Sequence, residues 1–404
     1  MKYIIITSIS FLILISLSCK DKGVNPIEDY PPGYQHDIPW PSMDANPWAI
    51  HHGDAQFTGR SRFSGPQLGQ IEWRVKIPTT NLTHDSFLSP IIGRDSTIYF
   101  VSYKDTASPG SFLYAMKFDG TIKWSFPIES PTAKNSSPPI ISSEGTIYVA
   151  DWASNLTAIK NDGTMKWKLT LSRAITSMMN LDKEGNLYGF ASDGILYCFS
   201  PSGNIKWSLT LDNFGSSSSA VVFSPDGNTM YVTGRNLYAV SRTGELKWSF
   251  DGPGEGTQDG TPLVNTLGDI FIFSGIYLIR SDGTLKYVYV DSSGFIPHDW
   301  DPTIDKLGNI YIGGYNGIIS LNYKGELRWR KSYDLHYAFG LISDKNGIVY
   351  FLTTDNKLTS IDSLGNMKWQ LLLDGKSYYS PAITEGRMYL GTVQGTAKYF
   401  YSIK

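Results

Sequence analysis

Hydrophobic and polar positions alternate in short runs along most of the chain, and small clusters of Gly, Asp, Asn and Ser separate the runs. Residues 137–169 show the plan. Ser137-Pro138-Pro139-Ile140-Ile141 starts one strand, Thr146-Ile147-Tyr148-Val149-Ala150 a second, Leu156-Thr157-Ala158-Ile159 a third and Met165-Lys166-Trp167-Lys168-Leu169 a fourth. Ser143-Glu144-Gly145, Ser154-Asn155 and Asn161-Asp162-Gly163 fall between them as turns. Short alternating runs bounded in this way predict an antiparallel meander. Asp-Gly suits the tight connections because they need a positive φ, which Gly adopts without steric cost.

The last turn and fourth strand recur as one phrase. It reads Phe118-Asp119-Gly120-Thr121-Ile122-Lys123-Trp124, then Asn161-Asp162-Gly163-Thr164-Met165-Lys166-Trp167, and returns to the end of the chain. Its closing aromatic falls at Trp73, Trp124, Trp167, Trp207, Trp248, Tyr287, Trp329 and Trp369. A period of about 40 residues with strand-like content is the mark of a β-propeller. The final unit ends at Tyr399-Phe400-Tyr401-Ser402-Ile403 with no fourth strand, whereas Ile71-Glu72-Trp73-Arg74-Val75 has no unit before it. The expected fold is therefore all-β: an eight-bladed β-propeller of four-stranded antiparallel blades, closed by the N-terminal strand completing the last blade. Such closure leaves only short, protected edges. Seven blades is the other count, should the Tyr287 unit not form a blade.

Seven of the eleven tryptophans occupy the marker position, where a flat ring is expected to dock between neighbouring blades. Five residues before the Gly of each phrase stands a small side chain: Ala115, Ala158, Cys198, Ala239, Ser320 or Ser360. The exception is Leu278, in the unit that carries Tyr287. Cys198 thus has a packing role, and with only Cys19 besides it no structural disulfide is expected.

Composition narrows the function classes. A chain that is 41% hydrophobic and 14% aromatic is not disordered in its main body. A net charge of −2 without a Lys/Arg run excludes the electrostatic footprint of nucleic-acid binding. Lys2 is followed by an apolar run over residues 3–17, short of the roughly 20 residues that span a bilayer, which reads as a secretory signal. The run ends Leu17-Ser18-Cys19, which resembles the bacterial lipoprotein signal and implies lipidation of Cys19. Lys20 after the cysteine implies, by the same resemblance, an outer-membrane destination. The expected organisation is a signal peptide over residues 1–18, a polar, Pro-rich tether over 19–38 and the propeller over 39–404, held to the membrane by lipid alone.

The units resemble the PQQ-like repeat, with matches at Ala115…Gly120…Trp124, Ala158…Gly163…Trp167 and Ala239…Gly244…Trp248. The lead-in Pro47-Trp48-Ala49-Ile50-His51-His52-Gly53-Asp54-Ala55-Gln56-Phe57-Thr58-Gly59-Arg60 resembles the Trp-rich, Asp-x-Gln-x-x-Gly segment that precedes such propellers. The repeats depart from the pattern in a spacing one residue shorter and in Lys117, Lys160 or Ser241 at the motif Asp. One branch of the family is the quinoprotein dehydrogenases, which bind PQQ and calcium. This chain has no Cys-Cys pair and no assignable calcium set, so no cofactor is expected. The other branch is non-enzymatic and includes the propeller lipoprotein of the outer-membrane β-barrel assembly machinery. The resemblance implies an envelope scaffold that binds proteins.

Candidate chemistry gathers just before the innermost strands, at the mouth of the axial channel. There stand His84, Asp85, Gln258, Asp259, His298, Asp299, Trp300, Asp301, His336, Tyr337 and Tyr378. Convergent His and Asp could bind a metal or a polar ligand such as a glycan, but a wet channel needs polar walls in any case, and that is the favoured reading. His51 and His52 are adjacent in the lead-in; neighbours on a strand point to opposite faces, which argues for a structural role over a metal pair.

Overall fold

The computed structural model describes residues 30–404 except 44, 79–86, 103–110, 129–136, 212–219, 252–259, 274–275, 291–294, 296, 298–300, 336–339 and 396. Among the described residues the chain forms eight four-stranded antiparallel sheets, one per repeat. The first blade runs Ile91–Ile92, Thr97–Ser102, Ser111–Lys117 and Ile122–Ile128, from the innermost strand to the outermost. The unit that carries Tyr287 is a full blade of Leu263–Val264, Ile270–Ile272, Tyr277–Ile279 and Leu285–Val288, which settles the count at eight. In the second blade the inner strand is only Ile140–Ile141, shorter than expected, and inner strands of two residues recur in most of the other blades.

Ring closure follows the sequence. Ala382–Thr384, Arg387–Gln394 and Ala397–Ile403 make three strands of the last blade, and Ile71–Ile77 pairs with the third of them as its fourth. Trp73 faces Ser402 and Val75 faces Phe400 in that register. Arg387 adds a fork of two 2.7 Å hydrogen bonds to Glu72, reaching across the blade from its second strand to the closing one.

Second and third strands are buried along nearly their whole length and build the core, whereas the outer strands alternate between half-buried and exposed positions. The recurring phrase explains how blades dock. The marker ring lies opposite the small residue of its own third strand, as in Ala158 facing Trp167 and Cys198 facing Trp207, with a bulge directly after. A tyrosine from the second strand flanks it, Tyr148 at 5.9 Å from Trp167 between ring centroids. The other side of the ring covers the turn of the next blade: a Cβ on Gly203 would stand 2.8 Å from Trp167 Cδ2. The indole N–H then donates to that turn's carbonyl, Trp124 to Asn161 at 3.0 Å and Trp329 to Ser363 at 2.9 Å. Tyr287 has no indole N–H, and in its blade Leu278 fills the small slot.

Within the stretch expected as tether, the described chain is already held to the propeller. Gln35 is fully buried, its N–H donates to Lys306 O at 2.8 Å, and its side chain accepts from Thr266 N at 2.9 Å. Asp37 pairs with the buried guanidinium of Arg60 at 2.6 Å.

Candidate functional site

The chain's own lead-in runs along the inner strands of the propeller. Residues 46–64 touch the inner strands or their turns in all eight blades, in order. Trp48 O accepts from Ile92 N at 2.7 Å and Ala49 O from Ile141 N at 2.9 Å. Ala55 O accepts from the Asn180 side chain at 3.0 Å and from Phe223 N at 2.9 Å. Gln56 O, Thr58 O, Gly59 O and Ser64 O then accept from Val264, Ile304, Ser343 and Gly386. Inner-strand N–H groups that face the axis are thereby satisfied, as buried backbone groups must be.

The Asp-x-Gln-x-x-Gly element makes this course possible. Asp54 accepts hydrogen bonds from Gln56 N and Thr58 N and a short one from the Thr58 hydroxyl, which ties the chain into a tight loop. Burial pushes the Asp54 carboxyl up against those bonds. His52 and Phe57 adopt φ of 63° and 53°, values rare for residues with a side chain, and Gly59 follows at 64°.

That turn brings His51 and His52 to one side. The strand argument for opposite faces does not apply, because His52 lies at a left-handed position within a turn. Both rings approach Asp301: His51 Nε2 is 2.9 Å and His52 Nε2 3.9 Å from Asp301 Oδ2. All three residues are buried. His51 Nδ1 meets Ser89 Oγ at 2.6 Å, His52 Nδ1 meets Phe57 O at 3.3 Å, and Ser380 Oγ lies 3.4 Å from Asp301 Oδ2. His52 Nε2 and Asp301 Oδ1 are buried without a hydrogen-bond partner.

The electrostatics are those of a dry cluster. Burial lowers the His52 imidazole to about 4, against the pull of Asp301, so it is uncharged at neutral pH. Burial pushes the Asp301 carboxyl up, but the neighbouring imidazoles outweigh it and hold the group below the usual carboxylate range. Tyr379 is pushed up to about 12 by burial and by the charge of Asp301.

Of the expected mouth residues, Asp301 is the one that enters this cluster. Tyr378 is half-buried, next to Tyr379 in the sequence. His84, Asp85, Gln258, Asp259, His298, Asp299, Trp300, His336 and Tyr337 lie outside the described residues, as does Cys19. Ser89 and Ser380 were missed, and Tyr379 stood in the expected mouth segment without being singled out. A register signal could have found two of them. Two residues before the inner strand stand Ser89, Thr261, Gly340 and Ser380 in four blades, and Asp301 in the same place in the sixth. There is no room for a longer residue at Gly340, where a Cβ would lie 2.3 Å from that of Asp301.

Comparison with known proteins agrees with this architecture. The family described as outer membrane protein assembly factor BamB matches residues 110–249 and, overlapping them, 153–287, together under half of the chain. No curated protein matches the sequence. Among solved structures, BamB from Moraxella catarrhalis has a TM-score of 0.63 at 14% identity, covering 83% of this chain and all of its own. Quinohemoprotein alcohol dehydrogenase from Comamonas testosteroni has a TM-score of 0.65 at 12% identity, covering 90% of this chain and 81% of its own. The corresponding enzyme ADHIIG from Pseudomonas putida HK5 has 0.67 at 13%, covering 91% and 82%. Identities this low speak for fold alone. The chain is a β-propeller of PQQ-like repeats, similar in those repeats to the BamB family and in fold both to BamB and to quinohemoprotein alcohol dehydrogenases.

Proposed function

We propose that this protein is a non-enzymatic scaffold of the bacterial cell envelope, anchored by a lipid on Cys19 and working in outer-membrane protein assembly. The observation that carries the reading is the match of residues 110–287 to the BamB family, within a chain whose eight repeats each form a four-stranded blade. Lys20 favours the outer membrane as the site of anchoring.

Crosslinking of the native lipoprotein in its own membranes, followed by affinity recovery and mass spectrometry, tests the reading. Enrichment of the β-barrel assembly components over an unrelated lipoprotein control is the expected result. Recovery of transport or glycan-handling proteins instead would overturn it. Incubation of the purified protein with PQQ and calcium is expected to leave its absorbance equal to the sum of the parts; a new bound-quinone band would revive the dehydrogenase branch.

A further inference from the structure

We propose that His51, His52 and Asp301 form a structural binding site for one first-row divalent cation, zinc foremost, that clamps the lead-in to the sixth blade on the propeller axis. One donor atom from each residue lies within 4.8 Å of the others. A tetrahedral ion with bonds of about 2.1 Å separates its ligands by about 3.4 Å. The observed spacings of 2.9 and 3.9 Å around Asp301 Oδ2 bracket that value. Two imidazoles and one carboxylate suit zinc and its neighbours in the first row; magnesium and calcium prefer sets made of oxygen alone.

The hydrogen bonds argue for a cation independently of spacing. Phe57 O can only accept, so its partner His52 Nδ1 carries the proton. His52 Nε2 is left facing Asp301 Oδ2 at 3.9 Å, beyond hydrogen-bond distance, and Asp301 Oδ1 is buried beside it without a hydrogen-bond partner. Buried polar atoms without partners are costly, and most have an explanation. A cation between the three donors satisfies the two orphaned atoms or leaves one for a water as fourth ligand.

The outer partners are those that metal-bound imidazoles use. His52 Nδ1–H donates to a backbone carbonyl, which fixes the tautomer with Nε2 free. His51 Nε2 faces Asp301, and its Nδ1 lies against the Ser89 hydroxyl, which can accept from Nδ1–H when Nε2 binds a cation. The left-handed backbone of His52 is what sets both rings on one target. Strain kept at such a position is a common companion of a site.

The test uses the purified full chain, stripped with a chelator and dialysed against micromolar zinc. Elemental analysis is expected to find about one zinc per chain, with a raised thermal midpoint and no such response to magnesium. His52→Gln and Asp301→Asn, which keep volume, are expected to lower bound zinc at least tenfold, whereas His36→Ala is expected to leave it unchanged. Cobalt(II) loading of the wild-type chain needs no variant and is expected to give the visible bands of a four-coordinate nitrogen–oxygen site. A folded wild-type chain that binds no zinc and gives no cobalt bands overturns the proposal. Equal zinc in wild type and both variants overturns it as well, by placing the metal elsewhere. Neither result bears on the scaffold reading, whose partners are scored separately.

Discussion

The indole N–H of Trp167 donates to the carbonyl oxygen of Pro201 at 3.0 Å, and its ring lies flat against Gly203 in that same turn. One side chain thus both caps and covers the neighbouring blade. The ring is half-buried rather than fully enclosed. Trp167→Ala is therefore expected to cost about 2–3 kcal/mol, below the 3–5 of a fully buried aromatic. Denaturant unfolding measures it; an unchanged midpoint would show that the ring does not join the blades.

Glycine at the hub can be tested against glycine at a loop tip. At Gly59 a Cβ would meet His52 Cε1 at 2.8 Å and Thr303 Cβ at 3.0 Å, on a backbone with φ of 64°. Gly395 has a similar φ of 58° but nothing within 4 Å. Gly395→Ala is expected to cost about 1 kcal/mol from backbone strain alone, and Gly59→Ala about 3 kcal/mol because the contact adds to it. Equal losses in thermal or denaturant unfolding would refute the packing account of the hub.

The ring closure carries a pH signature. The fork from Arg387, together with the Ser402 hydroxyl, lowers the Glu72 carboxyl to about 2. A carboxyl lowered on folding stabilises the native state above its unfolded value, near 4.3, and loses that contribution as the pH falls toward 2. Both side chains are partly in water, so the effect at neutral pH is about 1 kcal/mol and not the larger figure a buried pair would give. Arg387→Ala is expected to lower stability by about that much at pH 7, with the gap from wild type closing between pH 4 and 2. A gap independent of pH over that range would separate the loss from the Glu72 charge.

Cys198 faces Trp207 and is fully buried, and burial pushes its thiol up. A peptide-level alkylation experiment in native buffer is expected to leave Cys198 unlabelled for hours and to label it completely once the chain is unfolded. Rapid native labelling would place the third blade's small slot at the surface.

The phrase ending in Trp or Tyr was legible because every blade junction asks the same thing of it. A Gly must let the ring approach, a small residue must face it, and an aromatic must close the strand. Repetition turned that local demand into a period, and the missing fourth strand after Ile403 exposed the closure with Ile71–Ile77. The hub was not legible in the same way. It belongs to a segment that occurs once, and its shape depends on left-handed turns at His52 and Phe57 that an alternation of faces cannot foresee. Asp301 was singled out as polar near the axis, but its partners came from a stretch 250 residues earlier, to which no periodic signal points.

The lead-in that hydrogen-bonds to every blade also sets a condition on the ring. Residues 46–64 precede all eight blades in the chain, whereas their last partners, Ser343 and Gly386, lie in the seventh and the eighth. Full seating of this segment needs all eight blades, and contacts of such long sequence separation form slowly. A ring that lacks any one blade therefore leaves part of the spindle without its partners, so the spindle couples the integrity of each blade to that of the whole ring.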